Sequence, residues 1–336
     1  MFDESKCILC GDCLVRCKYA DYSQEEAIQE ISALIEGRDA DILRKCVGCV
    51  ACNEYCTEGA NPFDLICQLQ EKTHLLPVPE VYSSAMDQIP YMFPSEVIKG
   101  DPGKPVLSLC IEENNIPEGA LEGQMFEGLT VVKGGEYFDY LGYIHIGRES
   151  PIRENAQKFV DKMASLSAKE IIFVHPDCYA MLTCKVREYG IRVPFKPVHI
   201  VEYLLNYLKD HQSNITKLGK KVAYQRPCSS RYTPGTEAML DDLFELTGVE
   251  RVPRKYDRED ALCCGSGFRL TYPEKAAAVR DMNLNDAKDY GAKAMISTCP
   301  ACLRSLRKGC QERGMAPIFI TDLCRMALGE KLFTSP

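Results

Sequence analysis

The chain has 336 residues, 46% of them hydrophobic, and this length suggests two or three domains whose cores need no disulfide bonds. Its 19 cysteines therefore need another explanation, because a small secreted disulfide protein would be far shorter. The formal net charge of −8 argues against non-specific nucleic-acid binding.

The N-terminus and the hydropathy pattern predict a cytoplasmic location. The first residues, MFDESKC, lack the basic and apolar regions of a signal peptide. No apolar run approaches the roughly 18 residues that span a bilayer. In a reduced compartment, many cysteines are typical of metal ligands or redox groups. We therefore expect a cytoplasmic metalloprotein that reaches a membrane only through a partner.

The first 73 residues contain one cysteine spacing twice. The stretches 7-CILCGDCLVRC-17 and 46-CVGCVACNEYC-56 both fit C-x2-C-x2-C-x3-C, the spacing that wraps a cubane 4Fe–4S cluster. In two-cluster ferredoxins, the fourth cysteine of each motif serves the other cluster. We therefore predict one cluster on Cys7, Cys10, Cys13 and Cys56, and the other on Cys46, Cys49, Cys52 and Cys17. Two zinc sites are the alternative, but zinc motifs usually pair two C-x2-C units over a longer gap.

The stretch between the two motifs, 23-SQEEAIQEISALIEG-37, predicts a helix. Ser23 and Glu26 form a capping box, and Gly37 follows the last turn. The predicted apolar face consists of Ile28, Ile31, Leu34 and Ile35. With this insert, the segment resembles the α-helical ferredoxin module found in heterodisulfide reductases and succinate dehydrogenases.

The rest of the chain divides into a linker and an α/β region. Residues 74–105 are rich in proline and show no clear periodicity, which predicts a linker on the surface. Residues 106–336 alternate short apolar strands with amphipathic helices, a pattern typical of parallel sheets covered by helices. The expected fold class is thus α+β overall, with an N-terminal helical ferredoxin domain at 1–73.

A second cysteine pattern lies beyond the linker. Cys228 is followed by 34 residues, then 263-CCG-265, then 33 residues and 299-CPAC-302. This pattern resembles the cysteine-rich CCG domain of the B and D subunits of heterodisulfide reductase and of related glycolate and lactate oxidase subunits. The domain order is similar to that of the D subunit. The resemblance implies a non-cubane 4Fe–4S cluster on Cys228, Cys263, Cys264, Cys299 and Cys302.

Local sequence features support this cluster. Strands are predicted before Cys228 and Cys299, and Pro300 predicts that a helix begins at the CPAC stretch. Two adjacent thiolates could reach neighbouring irons, and Gly265 and Gly267 would let the backbone approach closely. Three arginines flank the cysteines and either hold an anionic substrate or are simply solvated: Arg226, Arg231 and Arg269.

An earlier, degenerate copy of the CCG pattern predicts two pseudo-repeated α/β lobes, at 106–215 and 216–336. The stretches 105-PVLSLC-110, 139-DYLG-142 and 170-EIIFVHPDC-178 match the strand, the turn and the strand–helix start of the intact copy. Only Cys110 and Cys178 remain as cysteines, and they are weak candidates for metal ligands. Tyr140 and His175 stand where other cysteines would be.

Three roles are open for the degenerate copy. Its residues pack, or His175 and Tyr140 donate protons to a thiolate leaving group, or Cys110, His175, Cys178 and Cys184 hold one zinc or a smaller cluster. Our hypothesis is that this half holds no iron and that His175 acts on the substrate.

The resemblance implies an iron–sulfur subunit of an anaerobic oxidoreductase complex. Two cubane clusters would exchange electrons with the non-cubane cluster, where a disulfide is reduced or a thiol pair oxidised. Because family members usually carry two CCG motifs, the alternative is a pure electron relay that links a flavoprotein or membrane cytochrome to a partner oxidoreductase. A zinc-holding scaffold is the third possibility. The expected partners are other subunits of the redox complex.

Overall fold

The computed structural model describes residues 1–333, and its N-terminal part is helical. The helices are α1 (Asp12–Val15), α2 (Gln24–Ile35), α3 (Ile42–Lys45), α4 (Ala51–Tyr55) and α5 (Pro62–Thr73). The capping box of Ser23 and Glu26 starts α2, and Gly37 follows it with φ +67°. The buried face includes Ile31 and Leu34 as predicted, but Ile28 is 37% exposed and Ala27 is buried instead. The buried face is therefore rotated from the predicted one.

The segment 74–105 contains regular structure that its proline content concealed. Helix α6 (Glu80–Met92) begins directly after Pro79, and strand β1 (Glu96–Ile98) follows it. Within α6, Met86 is buried, and Asp87 accepts hydrogen bonds from Tyr143 and Arg148. The segment is thus part of the folded body rather than an irregular linker.

The next region forms a five-stranded sheet. Its further elements are β2 (Val106–Ser108), β3 (Thr130–Lys133), α7 (Ser150–Ala164), β4 (Glu170–Phe173), α8 (Pro176–Ala180), α9 (Val186–Glu188), β5 (Lys196–His199) and α10 (Ile200–Asp210). The strand order is β1-β3-β2-β4-β5. Strand β1 pairs antiparallel with β3, and the other pairs are parallel.

The last region forms a four-stranded parallel sheet. Its elements are β6 (Lys221–Gln225), α11 (Thr236–Thr247), β7 (Glu250–Arg251), α12 (Pro273–Asp289), β8 (Ala294–Ser297), α13 (Pro300–Glu312), β9 (Ala316–Phe319) and α14 (Ile320–Ala327). Its order, β7-β6-β8-β9, repeats the order β3-β2-β4-β5 of the first sheet. The two lobes therefore share one topology, and the overall class is α+β.

The lobes are not separate bodies. One buried apolar cluster contains Leu107 and Ile172 of the first sheet together with Tyr224 and Ile318 of the second. Another cluster joins the N-terminal helices to the first lobe and includes both Phe63 and Phe173. Within residues 1–333, no helix combines the length and apolar character that crossing a bilayer requires.

Candidate functional site

The eight N-terminal cysteines surround two cavities. One opening of about 360 Å³ is lined by Cys7, Cys10, Cys13 and Cys56. A second of about 370 Å³ is lined by Cys17, Cys46, Cys49 and Cys52, with Cys13 at its edge. The structure thus brings together the two sets of four that the spacing assigned to separate clusters.

The two cysteine loops share left-handed residues on both sides of their second cysteine. Leu9 and Gly48, which precede the second cysteine of each motif, have φ of 57° and 71°. Gly11 and Val50, which follow it, have φ of 80° and 64°. A left-handed conformation costs a non-glycine residue about 1–2 kcal/mol, and such strain concentrates where a loop wraps a ligand. This repeated conformation and the all-thiol donor sets fit iron–sulfur clusters.

The five CCG cysteines also lie together. Cys228 follows β6, Cys263 and Cys264 precede α12, Cys299 is the N-cap of α13, and Cys302 is in its first turn. Hydrogen bonds from the thiols of Cys228 and Cys264 raise the pKa of Cys263. The thiols of Cys263 and Cys302 lower the pKa of Cys264, and Cys302 lowers that of Cys299. The sulfurs therefore form a continuous group.

The surroundings of this group suit thiolates. All of its members except the half-buried Cys228 are buried. The N-terminal end of α13 supplies free N–H groups and a positive dipole, which stabilise thiolates on Cys299 and Cys302. Gly265 has φ +76°, a conformation that glycine adopts without strain directly after the paired cysteines. Five clustered thiols of this kind fit a polynuclear iron–sulfur group.

The second set of four N-terminal cysteines, the second predicted cubane site, adjoins the CCG cysteines. The Tyr19 hydroxyl accepts a 2.7 Å hydrogen bond from the backbone N–H of Cys263. Tyr19 also packs in one apolar cluster with Cys49 and Cys228. Burial first, and then the nearby thiols of Cys49, Cys263 and Cys228, raise the pKa of Tyr19 well above its ordinary value. One buried phenol thus separates ligands of two predicted clusters.

Two of the three flanking arginines join the N-terminal helices to the last lobe. Arg226 makes two 2.8 Å contacts with the carboxylate of Glu54, and Arg231 makes one of 2.5 Å. The side chains of Arg226 and Arg231 are only 2% and 3% exposed. They are neither solvated nor directed at a substrate, whereas Arg269 is exposed. The ion pairs instead lock α4 against the loop that carries Cys228.

The degenerate copy forms a compact buried group. Its members are Cys110, Asp139, His175 and Cys178, whose ligand-type atoms all lie within 4.8 Å of one another. His175 also hydrogen-bonds Cys299. The hydrogen bond with Cys302 lowers the pKa of Cys299 most, and the one with His175 lowers it further. The group therefore adjoins the CCG cysteines. Asp139 was not among the predicted site residues, because no sequence motif singles it out.

Two other predicted members of this half lie elsewhere. The Tyr140 ring packs 4.8 Å from the ring of Phe138 and 6.1 Å from that of Tyr143. Within residues 1–333, no hydrogen bond or ring contact joins Tyr140 to a CCG cysteine, so its role as an acid stays a prediction. Cys184 donates to Glu188 at 3.4 Å and is not a member of the buried group.

His145 is a neighbour of the CCG cysteines that sequence reasoning missed. Its Nδ1 lies 3.3 Å from the carbonyl oxygen of Val47 in the second cysteine loop. Its ring is against Gly267, which lies three residues beyond Cys264. No periodic pattern in the sequence predicts that His145 lies here. The only indirect signal is Gly267, whose lack of a side chain leaves room for the imidazole.

We expect Gly267→Ala to disturb this contact. A Cβ at Gly267 would lie 2.4 Å from His145 Cγ, so the imidazole must move. Overpacking of this kind costs about 1–3 kcal/mol, measured as a lower midpoint of anaerobic thermal unfolding. The matched control is His145→Ala combined with Gly267→Ala, which should recover most of the loss because the clashing ring is absent. A double variant as unstable as Gly267→Ala alone would contradict the steric explanation.

Comparison with known proteins gives matches at both the sequence and the structure level. Residues 222–307 match the family model of the CCG cysteine-rich domain. The chain is 27% identical over 175 residues to the D subunit of dihydromethanophenazine:CoB–CoM heterodisulfide reductase from Methanosarcina barkeri. That match covers 50% of this chain and 42% of the relative.

Two further proteins show similarity. The probable iron-sulfur-binding oxidoreductase FadF of Bacillus subtilis is 25% identical over 171 residues, which is 49% of this chain and 24% of FadF. A hypothetical protein from Helicobacter pylori has a similar fold, with a TM-score of 0.59 at 11% identity, over 92% of this chain and 65% of that one.

The matched segments cover less than half the length of the curated relatives. The family model matches the part of the chain that contains Cys228, the paired cysteines and the CPAC stretch. The chain therefore carries a CCG cysteine-rich domain and is related to the D subunit of heterodisulfide reductase.

Proposed function

We propose that the chain is an iron–sulfur oxidoreductase subunit in which two 4Fe–4S cubanes exchange electrons with a non-cubane 4Fe–4S cluster that carries out disulfide/thiol chemistry. The thirteen cysteines of the three groups would be the ligands. The observation that carries this proposal is the convergence of the five CCG cysteines next to the Cys49 loop, within a segment that matches the CCG family.

The protein's own residues hold this arrangement. The Glu54 ion pairs hold the second cysteine motif against the loop that carries Cys228. The Tyr19 hydrogen bond holds the residues that follow Cys17 against Cys263. Burial of Cys263, Cys264, Cys299 and Cys302 excludes water from most of the group, while the half-buried Cys228 marks its more accessible side. The geometry therefore suits electron exchange between the two sites.

The proposed reaction needs a partner protein that supplies or accepts its electrons. Reduction of a disulfide takes two electrons and two protons and yields two thiols, and the reverse reaction releases them. A flavoprotein or a membrane cytochrome is the proposed electron partner. His175, which contacts Cys299, is the group of this chain that we propose acts on the substrate side.

The alternative is a pure electron relay between such a partner and another oxidoreductase. The degenerate first copy favours it, because Tyr140 and Leu141 replace the paired cysteines and only one CCG set is intact. A full-length, anaerobically prepared protein distinguishes the two functions. If the chain carries out disulfide chemistry, reduced viologen should be oxidised only when a disulfide is added, such as the CoB–CoM heterodisulfide or cystine. Reversible reduction of the clusters without disulfide consumption would establish the relay.

We expect His175→Ala to slow disulfide turnover by at least tenfold while iron content and cluster spectra stay unchanged, because the imidazole nitrogen that does not face Asp139 would donate a hydrogen bond to the developing thiolate, and loss of one such donor costs about 10²–10³-fold. The control is His211→Ala, because His211 stacks on Tyr207 away from the cysteines. Loss of iron would show that His175 is a cluster ligand. Unchanged turnover would leave it with a structural role only.

A further inference from the structure

The degenerate lobe contains a four-membered group of metal-ligating side chains. Asp139 Oδ2 lies 3.5 Å from Cys110 Sγ, 3.0 Å from Cys178 Sγ and 3.1 Å from His175 Nδ1. Cys178 Sγ is 3.9 Å from His175 Nδ1. All four residues are buried. The group comes from three separated stretches of the chain, so the fold itself assembles it.

These distances are close to those of a tetrahedral zinc site. Bonds of about 2.3 Å to sulfur and about 2.0 Å to nitrogen or oxygen place the ligand atoms of such a site about 3.3–3.8 Å apart. Four of the six separations are 3.0–3.9 Å, within a few tenths of an ångström of this range, and all six are below 4.8 Å. Binding of one ion would therefore require only small side-chain shifts.

The backbone orients the carboxylate for this role. The N–H of Leu141 donates to Asp139 Oδ1 at 2.8 Å, which leaves Oδ2 directed at the two thiols and the imidazole. Cys110, a member of the group, and Tyr140, which follows Asp139, have left-handed φ of 55° and 64°. Such strain at non-glycine residues is typical of functional sites. A hydrogen bond to the second oxygen of a ligating carboxylate is likewise typical of metal sites.

The donor set also selects the kind of metal. The group has only two thiols, beside one imidazole and one carboxylate, and two sulfurs are too few for an iron–sulfur cluster. Leu141 is buried at the position where the intact copy has the second of its adjacent cysteines. Two sulfurs with one nitrogen and one oxygen suit a single borderline-soft ion. We propose that Cys110, Asp139, His175 and Cys178 bind one zinc ion, in the lobe position that corresponds to the CCG cluster.

This site has no open coordination position, which is typical of structural zinc. It ties the loop after β2 to the start of α8, and His175 links it to Cys299 of the other lobe. The zinc would thus stabilise the part of the first lobe that contacts Cys299 of the CCG site. Zinc would occupy Nδ1 of His175 and leave Nε2 for the proposed substrate contact. The readouts of this inference are metal content and coordination, which do not depend on the proposed redox activity.

The test uses the full-length chain with its iron–sulfur clusters, prepared anaerobically and supplied with ZnCl₂. Elemental analysis after removal of weakly bound metal should give about one zinc per chain. Zinc-edge X-ray absorption is specific for the element, so iron does not mask it. We expect about two sulfurs near 2.3 Å and two nitrogen or oxygen atoms near 2.0 Å. A four-sulfur shell, an all-oxygen shell, iron in the site or no retained zinc would overturn the proposal.

Two variants locate the ion. Asp139→Ala and Cys178→Ser should each lose zinc while keeping the iron of the wild-type protein. The matched control is Cys184→Ser, because Cys184 lies six residues beyond Cys178 but outside the group, and it should keep both metals. Retention of zinc in both variants would refute the assignment. If a variant fails to fold, the sulfur count of the wild-type zinc shell decides the question.

Discussion

Replacement of Cys264 by serine is expected to remove about four of roughly twelve irons per chain, as three four-iron clusters imply, and to leave the two ferredoxin sites loaded. The Cys264 sulfur lies between the thiols of Cys263 and Cys302, so its loss interrupts the group at its centre. Serine offers a hard oxygen in place of a soft thiolate, and such an oxygen is a poor ligand for an iron–sulfur cluster. Disulfide-dependent viologen oxidation should fall to background.

The matched control for this variant is Cys310→Ser. Cys310 is on the same helix as Cys302 and is buried, and burial raises its pKa to about 12, as expected for a packed thiol. The Cys310→Ser protein should therefore keep all of its iron. Cubane signals in electron paramagnetic resonance should be the same in both variants. A Cys264→Ser protein with wild-type iron content would remove this cysteine from the ligand set.

Glu54→Ala is expected to lower the stability of the protein by about 2–3 kcal/mol. The substitution leaves the buried guanidinium groups of Arg226 and Arg231 without this counter-charge, and breaking a buried ion pair typically costs about 3–5 kcal/mol. We take a smaller value because Glu54 is 21% exposed and Arg226 keeps a contact with Glu237. For a chain of 336 residues, the midpoint of anaerobic thermal unfolding should fall by about 3–4 °C.

The control for Glu54 is Glu58→Ala, since Glu58 is an exposed carboxylate four residues along the same segment. Its midpoint should change by less than about 1 °C because exposed charges contribute little. The Glu54 variant should also slow electron exchange between the ferredoxin and CCG sites, because the lock between α4 and the Cys228 loop is lost. Equal midpoints for the two variants would show that the buried ion pairs do not stabilise this junction.

Short-range patterns predicted the individual elements well. The capping box of Ser23 and Glu26, the helix start at Pro300 and the strand before Cys228 depend on neighbouring residues, and the structure has all three. The repeated strand order of the two lobes also agrees with the traces of duplication in the sequence. These features follow from local propensity and from spacing.

Contacts between distant segments could not be predicted in the same way. The pairing of Glu54 with Arg226 and Arg231, and the place of His145 against Gly267, depend on how the ferredoxin segment docks on the lobes. Helix α6 was missed because the proline content of 74–105 favoured a linker, although Pro79 only precedes the helix and Pro90 lies near its end. Asp139 was missed because nothing local marks a carboxylate as part of a distant thiol group.

The core shared by the two sheets has a consequence for biosynthesis. Leu107 on β2 is buried in the same apolar cluster as Leu323 and Cys324 on α14, and the N–H of Thr216 donates to the carbonyl oxygen of Ala327. At roughly 5–20 residues per second, a ribosome needs tens of seconds to travel from β2 to α14. During that time the apolar face of the first lobe lacks its partner, which favours chaperone binding to the nascent chain. Iron loading of the CCG cysteines is accordingly expected to follow release from the ribosome, when α13 and α14 have docked.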